Sequence, residues 1–515
     1  MIAYDGRAGK LVKAWPVLPY MALGVWLASV RILSSGAVWL SDNEVDGGNI
    51  RTLVIVATVA SAIVFLVGAF GYPRLRERTP KRGLAAISGI VAGLGALIVV
   101  ASGPFYLERL LSWEATEALF MLGGLLMGFG LGVIGLYCGR LYGGLSPGRV
   151  VMYVAFSECL IAVLFFTVIG SPVWKPVEGG PSLADMIFFV VLPVCAGLLA
   201  ELSAFFPLSS VSCSEAAENE LPKAFWKLLT VVFAFSFIVS SVYGVVVECG
   251  SVELILDGSK LVMLVQMVLA LLLAGVAQVT EGDRLNFGKL YSVVMVTSVA
   301  LVACLPIVST FQTMLSQIVS LASVTFELFL WCILAFIVYQ RNISSVVVFG
   351  FGYGLYLTGS AIGWLLGTQA LRLLAESIGA PFTYMLMAVV VLVCAFVVFS
   401  EREFDLLFLP SSEDDPSLEF LLKKDLKEEA TGEETHHGEK RFAVAIDKLS
   451  KRYQLSPRES DVLRYLVLGY SNDATAEKLS LALNTVRTYR QYIYAKTGAH
   501  TKQDIIRLLE EAMGK

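Results

Sequence analysis

The chain has 515 residues, of which 56% are hydrophobic and 16% charged, and its formal net charge is −4. A soluble globular domain is shorter and has about a quarter of its residues charged, so this composition excludes a single soluble domain. Residues 1–400 hold 21 basic and 22 acidic side chains, residues 401–440 hold 5 and 13, and residues 441–515 hold 13 and 8. The near-neutral total therefore conceals an acidic segment followed by a basic one.

Twelve apolar stretches within residues 1–400 are each long enough, at about 20 residues, to cross a bilayer as a helix. They begin near Pro16, Thr52, Gly83, Ala118, Val150, Leu183, Phe225, Ser259, Gly288, Ser316, Ser344 and Pro381. We therefore expect a polytopic, all-α membrane domain of about twelve spans over residues 1–400. The first stretch lacks a small-residue cleavage site and is followed by further spans, which argues against a cleaved signal peptide.

The loops between the predicted spans differ in their basic residues. One alternate set of loops and flanks carries fifteen lysines and arginines, and the other set carries five. Because basic loops stay on the cytoplasmic side, this bias predicts that both termini are cytoplasmic. We expect a multi-pass protein of the inner, cytoplasmic membrane in contact with lipid.

The predicted spans divide into two groups of six around the longest internal loop, residues 204–224. In each group a charged loop follows the second span, at residues 71–82 and 282–289. This layout resembles the major facilitator superfamily, which implies two six-helix halves and a transporter-like fold. Members of that family often carry an aspartate in the first of these loops, and this chain lacks it there.

Ionisable residues inside the spans are costly in a membrane and are therefore candidates for function. Arg31 is the basic residue deepest in a predicted span, and a ligand carboxylate or phenol could meet it. The alternative is that Arg31 pairs with a glutamate and holds helices together. We predict a small-molecule site from the following charged and aromatic residues: Trp26, Arg31, Glu158, Glu327, Trp331 and Trp364.

Other features of the membrane region favour structural roles. Glu201 and Glu248 lie near span ends, where we expect their carboxylates to reach toward the interface. The many glycines of the fourth span favour close helix packing. The eight cysteines include no CxxC pair, and no nucleotide loop, metal-ligand cluster or catalytic triad is recognisable. We therefore expect no metal, no cofactor and no enzymatic activity.

Residues 401–440 are expected to form a flexible acidic linker, with the segment 410–416 reading Pro-Ser-Ser-Glu-Asp-Asp-Pro. Residues 441–515 then read as a separate, soluble domain. Ser456, Pro457 and Glu459 have the spacing of a capping box with proline at the first helical position. A helix is expected to follow, with this apolar stripe: Val462, Leu463, Leu466 and Val467.

A third helix of this domain is predicted from Leu483 to Lys496, after a short second helix near Ser471. Val486, Tyr489 and Ile493 are expected to face inward, and Arg487, Thr488, Arg490, Gln491 and Tyr494 to occupy the outer faces. A helix rich in arginine, threonine and glutamine suits the major groove of DNA. A fourth helix is expected to begin after Thr501, with Ile505, Leu508 and Leu509 on its inner face.

These caps, stripes and spacings over residues 447–510 resemble the LuxR/NarL-type four-helix helix-turn-helix. The resemblance implies binding of double-stranded DNA, with base contacts from Arg487, Thr488 and Gln491. It implies phosphate contacts from Thr485, Arg490, Lys496 and Lys502, and a homodimer through the last helix when DNA is bound. The chain departs from the family pattern at Thr475, Ala482 and Tyr489.

Three functions are compatible with this organisation. The first is a membrane-bound, one-component transcriptional regulator that senses a small molecule through its membrane domain. The second is a major-facilitator-like transporter with an attached DNA-binding regulatory domain. The third is a bare anchor for the regulator, for which twelve spans are far more than needed.

Overall fold

The computed structural model divides the chain into two compact units, residues 1–411 and 412–515. The residues that the structure describes are 15–35, 47–75, 83–102, 113–167, 183–205, 221, 223–249, 252–279, 312–341, 343–393, 446–453, 455–467, 475, 479, 483–497, 505 and 508.

The first unit is a bundle of α-helices, preceded by a 3₁₀ turn at Leu18–Tyr20. The described helices are α1 (Met21–Ser35), α2 (Gly47–Leu75), α3 (Leu84–Ser102), α4 (Trp113–Gly143), α5 (Pro147–Phe165), α6 (Leu183–Glu201), α7 (Lys223–Cys249), α8 (Val252–Val279), α9 (Gln312–Arg341), α10 (Ser345–Ile362), α11 (Thr368–Ile378) and α12 (Ala380–Val393). They correspond to eleven of the twelve predicted spans, since the ninth, near Gly288, lies outside the described residues. The eleventh span is made of two helices, α10 and α11, joined by a π turn at Gly363–Gly367.

Within the described part of the chain, seven helical segments are long and apolar enough to cross a membrane, and four shorter apolar helices accompany them. Many of their large apolar side chains are exposed, as on α3, where Ile87, Ile90 and Leu94 are about half exposed. Apolar surface on this scale fits a hydrocarbon solvent. The chain is therefore a multi-pass membrane protein.

Two strong helix contacts connect the two predicted halves of the bundle. Helix α2 packs against α10, and α5 packs against α8. Helix α2 is the second span of the first half, and α10 belongs to the fifth span of the second half. Helix α5 is the fifth span of the first half, and α8 is the second span of the second half. These reciprocal contacts are the ones that the predicted layout of two six-span halves leads us to expect.

The glycines of α4 lie where other helices approach its backbone. A Cβ atom on Gly123 would lie 2.9 Å from the carbonyl oxygen of Gly95, and one on Gly128 would overlap the carbonyl oxygen of Ala57. Ser61 Oγ also donates a hydrogen bond of 2.7 Å to the Gly128 carbonyl. The expected packing role of these glycines is confirmed, because a side chain at these positions would push α2 and α3 away from α4.

The carboxylate of Glu201, at the end of α6, lies at the start of α3, which is also the end of a span. This carboxylate accepts hydrogen bonds from the backbone N–H groups of Gly83 (2.6 Å) and Ala85 (3.2 Å). The first N–H groups of a helix have no partner within the helix and carry a partial positive charge, so a carboxylate at the start of α3 stabilises it. The side chain of Glu248 lies outside the described residues.

The second unit contains a helical segment at residues 446–452, then α13 (Pro457–Val467) and α14 (Leu483–Thr497). Its core consists of Ile446, Leu449, Val462, Leu463, Val486, Ile493 and Ile505, with Val467, Leu479, Tyr489 and Leu508 packed against it. The predicted inner faces of the first, third and fourth helices of this domain are thus confirmed. The predicted linker, residues 401–440, lies outside the described residues.

Candidate functional site

A cluster of three buried charged residues and one tyrosine lies within the membrane unit. Arg31 comes from α1, Glu158 from α5, Glu327 from α9 and Tyr353 from α10, and all four side chains are buried. The first two belong to one half of the bundle and the last two to the other. Burial of isolated charges is expensive, and close pairing offsets part of that cost.

The contacts within this charge cluster centre on the guanidinium of Arg31. Its Nη1 donates to Glu158 Oε2 at 3.2 Å, and its Nη2 lies 3.5 Å from Glu158 Oε1 and 3.5 Å from Glu327 Oε2. The hydroxyl of Tyr353 donates to the other oxygen of Glu327. The sequence left open whether Arg31 pairs with a glutamate, and the structure confirms the pairing with two of them.

An aromatic cluster packs beside these charges. The rings of Trp26 and Trp331 meet edge to face with centroids 5.6 Å apart, and Trp331 lies 5.4 Å from Tyr353. Trp26 donates its indole N–H to the carbonyl of Leu131 at 2.8 Å. The buried indole N–H of Trp331 has no hydrogen-bond partner among the described residues. These rings connect α1, α9 and α10 across the two halves.

A cavity of about 190 Å³ opens next to the charge cluster. Arg31, Glu327 and Trp364, of the six predicted ligand residues, line it. Glu158 lies behind Arg31, and Trp26 and Trp331 belong to the aromatic cluster. As ligand contacts, all six remain predictions.

The sequence did not single out the tyrosines of the cavity wall. Tyr353 and Tyr356 both lie on α10, in the segment Gly350-Phe-Gly-Tyr-Gly-Leu-Tyr, which reads as an ordinary apolar span. A signal was present, because two phenols one turn apart in a span face one side of the helix and need partners there. Tyr356 finds one in Ser323, at 3.3 Å between the two hydroxyl oxygens.

The C-terminal unit presents α14 as its candidate DNA-contacting helix. Its buried side is formed by Val486 and Ile493, and on its other faces Thr488 is exposed and Thr485 half-buried. The side chains of Arg487 and Gln491 lie outside the described residues, as does Lys502. Tyr494 was expected on an outer face and instead packs partly against the core. Arg490 stacks over the ring of Tyr494, with its guanidinium carbon 5.5 Å from the ring centroid, and donates a hydrogen bond to the Tyr494 hydroxyl.

The predicted capping box is confirmed at the start of α13. The backbone N–H of Ser456 donates to Glu459 Oε2 at 2.6 Å, and the N–H of Glu459 donates to Ser456 Oγ at 3.3 Å. Lys496, from α14, also donates to Glu459 Oε2 at 2.6 Å and so joins the two helices. Burial acts to raise the pKa of the Glu459 carboxyl, but the hydrogen bonds from Lys496 and Ser456 outweigh it and hold that pKa below its ordinary value.

Thr475, which departs from the family pattern, is buried in this unit. Among the described residues of the whole chain, no group of three or more histidine, cysteine, aspartate or glutamate side chains could hold a metal ion.

Comparison with known families places this unit. Residues 453–509 match the GerE family, described as bacterial regulatory proteins of the luxR family. The Fimbriae Z protein of Escherichia coli K12 is 46% identical over 52 residues, which are 10% of this chain and 25% of that protein. The response regulator protein TodT of Pseudomonas putida is 35% identical over 69 residues, 13% of this chain and 30% of that protein. The chain thus spans about a quarter of the curated relatives it matches.

Solved structures resemble the membrane unit. FucP, a major facilitator superfamily transporter in the outward conformation, superposes with a TM-score of 0.52 at 12% identity over 76% of this chain and 98% of that one. The proton:xylose symporter XylE, bound to 6-bromo-6-deoxy-D-glucose, gives a TM-score of 0.53 at 12% identity over 76% of this chain and 97% of its own. At this identity the likeness shows the fold alone.

Proposed function

We propose that this protein, which joins a luxR-family DNA-binding domain to a membrane unit of the major facilitator fold, is a one-component transcriptional regulator that senses a small molecule. The observation that carries the proposal is the charge cluster beside the cavity. Its ion pair between Arg31 and Glu327 joins the two halves of the bundle, and both residues line the cavity.

A ligand in this cavity would act on the contact between the halves. It shifts an equilibrium between two arrangements only if its affinity for the two differs. A molecule that competes for Arg31 or Glu327 weakens or replaces the ion pair, so its affinity depends on how the halves are arranged. The remaining predicted ligand contacts, Glu158, Trp26, Trp331 and Trp364, surround this pair or the cavity.

In this proposal the regulator acts by binding double-stranded DNA at the inner face of the cytoplasmic membrane. The distribution of basic residues among the loops favours a cytoplasmic location for both termini. In this proposal Arg487, Thr488 and Gln491 contact base edges. The phosphate contacts come from these residues: Thr485, Arg490, Lys496 and Lys502. Two copies associate through the last helix on DNA, and residues 401–440 serve as the tether.

Selection of DNA by the full-length protein in lipid nanodiscs tests this function. The intact chain is expected to enrich a defined set of fragments from genomic DNA. Replacing Arg487 and Arg490 together by alanine is expected to weaken that enrichment at least about tenfold, because one good base contact contributes about 1–3 kcal/mol of discrimination.

Arg458→Ala is the matched control for this experiment. Arg458 is an exposed arginine at the start of α13 that pairs with Asp461, and its loss is expected to leave the enrichment unchanged. Equal enrichment by the double variant and the intact chain would contradict the DNA-binding role of α14.

The alternative is a transporter with an attached DNA-binding regulatory domain. The cavity beside the contact between the halves favours it, since substrates of such folds bind between the two repeats. Uptake of a labelled solute by vesicles that carry the full-length protein, and not by empty vesicles, would support this alternative.

A further inference from the structure

The charge cluster contains one basic and two acidic side chains. Arg31 keeps its proton at any physiological pH, and it faces two glutamates, Glu158 and Glu327. Arg31 and Glu327 are the charged side chains of the cavity wall among the described residues. With both carboxylates ionised, the site holds one positive and two negative charges.

The contacts identify which carboxylate is the surplus one. Glu158 directs both oxygens at Arg31, at 3.2 and 3.5 Å, and does not line the cavity. Glu327 places one oxygen 3.5 Å from Arg31, accepts a hydrogen bond from Tyr353 on the other, and lines the cavity. Arg31 and Glu158 therefore form the closer pair, and Glu327 is the carboxylate left to face a ligand.

The aromatic part of the cavity wall suits a cation with an apolar or aromatic body, and serine and threonine hydroxyls line the wall beside it. Trp364 and Tyr243 meet edge to face at 5.7 Å, and both line the cavity together with Tyr356. Aromatic faces attract cations, and they do so more strongly where water is excluded. The volume of about 190 Å³ is below the range of sites for drug-sized molecules, so the ligand is small.

The buried Nε–H group of Arg31 adds a second requirement for the ligand. This Nε has no hydrogen-bond partner among the described residues, although the side chain is nine-tenths buried. A neutral acceptor on the ligand, such as a hydroxyl oxygen, would satisfy this group. A carboxylate would also accept this bond, but the surplus charge of Glu327 would repel it. The sequence suggested a ligand carboxylate or phenol at Arg31, and of these the carboxylate is the one that Glu327 disfavours.

We infer that the cavity binds a small organic cation, a protonated amine with an apolar or aromatic body, whose ammonium group pairs with Glu327. The inference rests on the sensing function proposed above and names its class of ligand. Bound in this way, the ligand neutralises the surplus charge and competes with Arg31 for Glu327, which couples its binding to the contact between the halves.

A series of three probes of equal size tests the inference on the full-length protein in nanodiscs. The probes are 2-phenylethylammonium, 2-phenylethanol and phenylacetate, and binding is measured by calorimetry and by the shift in thermal unfolding. The ammonium is expected to bind at least about tenfold more tightly than the alcohol, and the carboxylate more weakly than both. Equal binding of ammonium and alcohol, tighter binding of the carboxylate, or no binding of any probe would overturn the inference.

Glu327→Gln removes the surplus charge and keeps the shape of the side chain. It is expected to abolish the preference for the ammonium over the alcohol, whereas Glu117→Gln, at an exposed position of α4, preserves it. Should Glu327→Gln fail to fold, the three probes on the intact chain decide the question by themselves.

The two proposals fail in different ways. If the carboxylate binds most tightly but DNA enrichment still depends on Arg487 and Arg490, the proposed ligand class is wrong and the proposed regulatory function stands. If the ammonium binds most tightly but DNA enrichment does not depend on Arg487 and Arg490, the proposed regulatory function is wrong and the proposed ligand class stands.

Discussion

At the scale of single residues, Glu459 shows how one carboxylate organises the C-terminal unit. It is buried, caps α13 through Ser456 and receives Lys496 from α14. The resemblance to the LuxR/NarL type assigned Lys496 a phosphate contact, and that assignment stays a prediction. The ion pair shows that Lys496 also has a partner within its own unit.

Glu459→Gln is expected to lower the hydrogen-exchange protection of α13 and α14 at pH 7 by about 1–3 kcal/mol, because it removes charge-assisted hydrogen bonds to a buried carboxylate. The pKa of Glu459 is lower in the folded than in the unfolded chain, so its stabilisation is complete above about pH 4.3 and is lost as the pH falls through the folded value. The gap between variant and intact protein should therefore close in acid.

Asp447→Asn provides the control for this measurement. Asp447 pairs with Lys451 at 2.6 Å on an exposed surface, where such pairs contribute little. Its replacement is expected to change protection by less than about 0.5 kcal/mol. A loss as large as that of Glu459→Gln would refute the special role assigned to the buried carboxylate.

At the scale of helices, the contact between α2 and α4 depends on the absence of a side chain at Gly128. A methyl group there would meet the carbonyl of Ala57. Gly128→Ala is expected to separate the helices and to destabilise the membrane unit by about 1–3 kcal/mol, as overpacking does elsewhere. The measurement is the temperature at which the detergent-solubilised protein loses its monodisperse peak in size-exclusion chromatography.

Gly275→Ala, on α8, is the matched substitution. No described atom lies within 4 Å of a Cβ at this position, so the variant is expected to melt at the temperature of the intact protein. If both variants melted alike, the close approach of α2 and α4 would not be what stabilises the bundle.

The helices themselves could be predicted from the sequence, because their length in apolar residues is set by the bilayer. Which side of each helix faces the core could not, since lipid and protein interior are equally apolar and leave no periodic pattern. The π turn at Gly363–Gly367 within the eleventh span was not predicted. The capping box at Ser456 was predictable because its spacing is local.

The charge cluster could be predicted only in part. Arg31, Glu158 and Glu327 stood out individually, as charges inside spans do. Their meeting depends on the packing of α1, α5 and α9, and Arg31 is 127 residues from Glu158 and 296 from Glu327. No rule of spacing links residues so far apart, so the choice between pairing and ligand binding needed the structure.

At the scale of the whole molecule, the orientation proposed from the loop charges has a direct test. A phosphatase that is active only outside the cytoplasm is fused after residue 109, in a loop poor in basic residues, and after residue 78, in a basic loop. The first fusion is expected to be active and the second inactive, because basic loops stay in the cytoplasm. The opposite pattern would place the DNA-binding domain on the wrong side of the membrane.

The edge-to-face contact of Trp26 and Trp331 has a consequence for observing this molecule. One indole belongs to α1 in the first half and the other to α9 in the second, with ring centroids 5.6 Å apart and planes inclined at 71°. Indoles this close couple electronically, and the coupling falls steeply with distance. If the halves rearrange on ligand binding as proposed, the circular dichroism of this pair is expected to change, over the background of the six other tryptophans.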